Sequence, residues 1–77
     1  MSHLKVRVKT KILREILARK NMSQNGLGRA ARLTSGHVSQ LIRGTRNASP
    51  ETREKILKEL EDVTFDQIFR ITYGKNR

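Results

Sequence analysis

The chain has no cysteine and no tryptophan, a single tyrosine, two phenylalanines and one proline in 77 residues. Without cysteine, neither a disulfide nor a thiolate metal site can hold the fold together, which suits a reducing cytoplasm. So few aromatic side chains leave almost no platform on which unstacked bases could lie, and this weighs against a single-stranded RNA module. Apolar runs reach three residues at most (Ile16-Leu17-Ala18), too short for a membrane-crossing helix. No apolar core of a secretory leader follows Met1. Acid is scarce as well: seven Asp and Glu face 17 Lys and Arg, a formal charge of +10.

That charge is unevenly spread. Residues 1–47 hold eleven Lys and Arg against Glu15 alone, whereas residues 48–77 hold six of each sign. A basic half joined to a neutral half describes a protein with a nucleic-acid side and an indifferent side. A length of 77 residues allows one small domain with a thin core, residues 1–77 as a single unit.

His3 to Lys9 alternates, with Leu4, Val6 and Val8 on one face and Lys5, Arg7 and Lys9 on the other. Period two with β-branched residues predicts a short strand whose basic face meets solvent or phosphate. Phe69, Ile71 and Tyr73 alternate likewise at the other end, so a two-stranded ribbon joining the terminal segments is expected over about 3–9 and 69–73. The alternative is a flexible basic arm in front and a frayed helix end behind.

Between these segments the spacing predicts five helices, at about 11–20, 24–31, 35–42, 50–60 and 65–69. Thr10 is expected to cap the first, whose stripe is Ile12, Leu13, Ile16 and Leu17. Asn21 suits a left-handed helix end, with Met22 packing back. Ser23 caps the second helix, with Leu27, Ala30 and Ala31 as its inner face. Gly28 leaves room for the third helix near Val38, and Gly44 stops that helix. Thr45 to Ala48 reads as a polar loop. Ser49-Pro50-Glu51 is a strong start signal for the fourth helix, which buries Ile56, Leu57 and Leu60. Thr64 to Gln67 has the capping-box pattern and opens a last turn or two containing Ile68 and Phe69.

The third helix carries the functional signal. At about 100° per residue, Val38, Leu41 and Ile42 share one side, and Gly36, Gln40 and Arg43 lie opposite, flanked by Ser39. Ser35 sits at the exposed N-terminal end. Gln can bond adenine with two hydrogen bonds, Arg can bond guanine or phosphate, and Gly lets backbone approach closely. No Asp or Glu occurs between Lys20 and Glu51 to repel phosphate. The second helix presents Ser23, Gln24 and Asn25 at its N-terminus, where free N–H groups and the dipole favour a phosphate.

From Gln24 to Gly44 the chain resembles the Cro and lambda-repressor type of helix-turn-helix (XRE family). The residues that carry the likeness are Gln24, Leu27-Gly28, Ala31, Thr34, Val38, Leu41 and Arg43-Gly44. The flanking segments LREILARKNMS and SPETREKILKELEDVTFDQIF also look like the family's first, fourth and fifth helices, which extends the likeness over about 10–69. The resemblance implies a mainly α bundle that binds double-stranded DNA sequence-specifically, usually as a homodimer on a palindromic operator. It implies that Gln24 bonds phosphate and that Ser35, Gly36, Ser39 and Gln40 face base edges. Arg43 and Arg46 then meet backbone or a neighbouring base. Two positions depart from the pattern. Arg32 stands in the turn where the family favours Gly, so either the turn differs or Arg32 gains a phosphate contact. Glu61-Asp62 replaces a single Gly after the fourth helix.

Other classes fit less well. His3 and His37 are far apart, Ser35 and His37 are too close for a catalytic pair, and Asp62 and Asp66 suit capping. No metal spacing or phosphate-binding glycine loop occurs, so neither an enzyme nor a cofactor is expected. The basic residues are spread over several elements, unlike a membrane-surface helix. A protein-interaction module, such as an antirepressor or antitoxin partner seated on the neutral half, is the serious alternative to DNA binding. The expectation is therefore a cytoplasmic, nucleoid-associated regulator of bacterial or phage type, acting as a repressor. Its dimer contacts would come from the fourth and fifth helices or the terminal strand, with Phe65, Phe69, Ile71 and Tyr73 as the candidates.

Overall fold

A computed structural model describes residues 4–73. Among these the order is β1 (Leu4–Val8), α1 (Thr10–Arg19), α2 (Gln24–Ala31), α3 (Ser35–Arg43), α4 (Pro50–Leu60), α5 (Phe65–Ile68) and β2 (Phe69–Tyr73). The five helices form the body, and β1 and β2 pair antiparallel with Leu4 opposite Tyr73, Val6 opposite Ile71 and Val8 opposite Phe69. The ribbon expected from the two alternating segments is present and needs the body beneath it. Val6, Val8 and Phe69 are buried in the same cluster as Leu13, Leu27, Val38, Ile42, Ile56 and Ile68. His3, included in the expected strand, lies outside the described residues.

Caps explain most helix limits. Ser23 Oγ accepts from the Gly26 N–H at 2.8 Å, Thr34 Oγ1 from His37 N–H at 3.1 Å, and Ser49 Oγ from Thr52 N–H at 3.2 Å. Each satisfies one donor that the first helical turn leaves free. Asn21 takes the left-handed conformation as expected, at φ 54°. Gly44 closes α3 at φ 79°. Gln67 Oε1 accepts from the Thr64 N–H at 2.7 Å, tying the start of α5.

Several details differ from the sequence expectation. Thr10 does not cap α1; Lys9 holds the cap position because β1 runs almost directly into the helix. The Thr10 hydroxyl instead donates to the Ile42 carbonyl at 2.6 Å, satisfying an acceptor in the last turn of α3. Ala30 is exposed, and Gly28 takes its expected place on the inner face of α2. Ile12 lies at the solvent edge of its stripe, and Leu57 is only partly covered. Helix α5 ends at Ile68, since Phe69 is drawn into pairing with Val8. Ala48 is not simply loop: it is buried, and its N–H donates to the Val6 carbonyl at 2.8 Å. Asn47 Oδ1 accepts from the Val6 N–H at 3.1 Å, so the loop docks on the free edge of β1.

Candidate nucleic-acid interface

The α2–α3 unit is built around a close approach. A Cβ added at Gly28 would stand 2.9 Å from Val38 Cγ2 and 3.2 Å from the Leu33 carbonyl oxygen. Only glycine lets α3 settle this near α2. The turn between them passes through Arg32 at φ 60°, ψ 44°, and the Leu33 N–H reaches back to the Gly28 carbonyl at 2.7 Å. This is the left-handed helix end that glycine most often supplies, here made by arginine. The turn therefore keeps the left-handed conformation that glycine favours, although arginine stands there.

With Val38, Leu41 and Ile42 facing inward, α3 turns Ser35, Gly36, Gln40 and Arg43 to solvent, with Ser39 half-buried at the flank. A Cβ built at Gly36 would have nothing within 4 Å, so the backbone is open there to close approach. Gln40 is not isolated: its Oε1 accepts from Arg46 Nη1 at 3.0 Å, which groups the arginine with the exposed face. The Thr45 N–H, at 3.1 Å, and its hydroxyl, at 3.2 Å, both donate to the Gln40 carbonyl. The loop after α3 is thereby fixed to its last turn.

The remaining basic residues divide into separate groups. Arg7 Nη1 donates to the Gly44 carbonyl at 2.7 Å, and Lys9 Nζ to the Asp66 carbonyl at 2.7 Å, so both also brace the fold. Arg7, Lys9 and Arg43 share one cleft beside the C-terminal end of α3. Arg32 lies apart, in a depression shared with Lys55, Lys58 and Glu59 of α4. Lys5 is exposed toward the far end of the ribbon, opposite Thr72. Ser23, Gln24 and Asn25 stand at the N-terminus of α2, with the Ser23 hydroxyl occupied by its cap.

Sequence reasoning left out three neighbours of this surface. His37, in the first turn of α3, is half-buried near two cations. Burial first, then the charges of Arg46 and Lys55, hold its imidazole below the usual value, which favours the neutral form. Lys11 and Arg70 line the cleft with Arg43. Strand register was the signal available for Arg70, because alternation places it directly across from Arg7.

Two caps, a glycine-allowed crossing and a polar face free of carboxylates make this pair of helices a helix-turn-helix unit of the DNA-binding class. A family model described as helix-turn-helix, of the Cro/C1 type (XRE family), matches residues 13–68, and the chain belongs to that family. It is a family of DNA-binding transcription regulators rather than of enzymes. No curated protein and no solved structure matches the chain. Among the described residues no helix is long and apolar enough to cross a membrane.

Proposed function

We propose that this protein binds double-stranded DNA sequence-specifically, as a small repressor that reads a palindromic operator as a homodimer. The observation that carries the reading is the exposed face of Ser35, Gly36, Gln40 and Arg43. It is free of carboxylates and lies opposite a fully buried Val38-Leu41-Ile42 side. Helix α3 enters the major groove, with Ser35, Gly36, Ser39 and Gln40 at base edges. Ser23, Gln24 and Asn25, with Arg32, Arg43 and Arg46, contact the backbone, and so do Lys5, Arg7 and Lys9. A two-fold mate reads the next half-site about one helical turn away.

The dimer contact proposed here uses fewer residues than the four expected from the sequence. Phe69 is fully buried, and the partly buried Phe65 ring packs against it, tilted, at 5.2 Å between centroids, so both belong to the body of the domain. Ile71 and Tyr73 remain exposed, at 48% and 72%, and share a ribbon face with Leu4 at 56%. A second copy laid on that face would cover all three.

Selection of sites from random duplex DNA, followed by mass measurement of the complex, tests the reading. A symmetric site with two chains bound is expected. Gln40→Ala should relax base preference at one operator position, at a cost of about 1–3 kcal/mol there. Equal weakening on every sequence would remove Gln40 from base reading, and a preference for single-stranded RNA would overturn the proposal.

A further inference from the structure

The ribbon has two unlike faces. One carries Val6, Val8 and Phe69 into the core; the other carries Lys5 and Arg7 from β1 and Arg70 and Thr72 from β2. Arg7 stands directly opposite Arg70. Side chains so placed have Cβ atoms about 4.5–5.5 Å apart, and like charges there oppose pairing. A strand pair that needed only solubility would be better served by a lysine facing a glutamate.

Among the described residues no carboxylate lies in the cleft to relieve the repulsion. The two arginines line a cleft of about 500 Å³ with Lys9 and Lys11 at the start of α1 and Arg43 in the last turn of α3. Among the described residues no Asp or Glu lines it, so five cations share the space with Thr72. Arg7 is fixed by its bond to the Gly44 carbonyl, and its Nε has no hydrogen-bond acceptor among the described residues. Concentrated, partly pre-positioned positive charge around a concave space suits a phosphate. Arg43 belongs both to the exposed face of α3 and to this cleft, so the two surfaces are continuous.

We propose that the cleft seats a phosphodiester of the DNA backbone beside the stretch on which α3 lies. The interface then runs onto the terminal ribbon and includes Arg70, Lys11 and Thr72. This rests on the DNA-binding reading above and adds a flank to it. Inorganic phosphate shares the relevant chemistry, and the test separates the two sources. It also explains the opposed arginines: their repulsion in the free protein is relieved when a phosphate lies between them.

The test measures the affinity of the full chain for the selected duplex at several salt concentrations. Each phosphate contact contributes about 0.9 to the slope of log affinity against log salt. Arg70→Gln is expected to flatten the slope by about that amount. Its affinity deficit then widens about three- to fourfold from 200 down to 50 mM salt. Arg70→Lys should keep the slope. Arg70→Gln should also melt at or above the wild-type temperature, because its repulsion with Arg7 is gone. If Arg70→Gln binds with the wild-type slope, the cleft proposal fails while the reading of α3 stands. Absence of any duplex binding by the wild type at low salt overturns both. Inorganic phosphate shifting the side-chain NMR signals of Arg7 and Arg70, with an unchanged Arg70→Gln duplex slope, identifies a small-anion site and also overturns the proposal.

Discussion

Arg32 and Glu61 occupy positive-φ backbone that costs an ordinary side chain about 1–2 kcal/mol. Glu61, at φ 59° and ψ −55°, lies near the strained form of the γ-turn, and the Asp62 N–H reaches the Leu60 carbonyl across it. Asp62 in turn meets Lys20 Nζ at 2.8 Å, which ties the corner after α4 to the end of α1. Glu61→Gly is expected to raise stability by about 0.5–1 kcal/mol, read as a higher urea midpoint. Arg32→Gly should stabilise by a similar amount for the same reason. If Arg32 holds a phosphate, that variant also loses about one unit of salt slope; unchanged binding would take Arg32 out of the interface. At Gly28 the expectation reverses. Gly28→Ala forces a methyl against Val38 Cγ2 and the Leu33 carbonyl, and should cost about 1–3 kcal/mol by thermal melting.

Among the elements, β1 depends on the loop that follows α3. Both backbone groups of Val6 are engaged there, the N–H by Asn47 Oδ1 and the carbonyl by the Ala48 N–H. Asn47→Ala removes the partner of a part-buried donor, which costs about 1 kcal/mol. Faster hydrogen exchange at the Val6 amide should report the loss locally. Such long-range docking is what periodicity cannot convey: Ala48 sits among Asn47, Thr45 and Arg46 and reads as loop, because its burial depends on a strand some forty residues away. The helices themselves were legible, since Ser23, Ser49-Pro50 and Gly44 act on their own backbone. Thr10 misled because a hydroxyl before an apolar stripe looks like a cap whether or not a carbonyl from another helix claims it. On α3 the split between buried and exposed sides could be read directly, because three buried residues at helical spacing fix the remainder. The cleft could not, since it joins residues from both ends of the chain.

His37 and Asp62 couple the stability of the whole molecule to pH. His37 is held below its ordinary value of 6.5 in the folded state, so the unfolded chain takes up its proton first as pH falls. The stability it contributes is complete above about pH 6.5 and declines below it. The melting temperature is expected to fall between pH 7.5 and 5.5, and His37→Gln should flatten that decline. Asp62 acts in the acid range. A hydrogen bond from Lys20 comes first, then one within its own backbone and the Lys20 charge, in holding its carboxyl below the ordinary 3.8. Its contribution is present above that value and is lost as pH drops further. At this scale the ribbon has a consequence of its own. Pairing Leu4 with Tyr73 makes the first and last described residues strand neighbours, enclosing about 70 residues between them. Closing such a loop costs about 4 kcal/mol of chain entropy on every folding event. A peptide link joining the two terminal segments would turn the chain into a ring already closed in the unfolded state. New ends cut elsewhere would then leave the same domain, and a host protein could receive it as an insert whose entry and exit lie side by side.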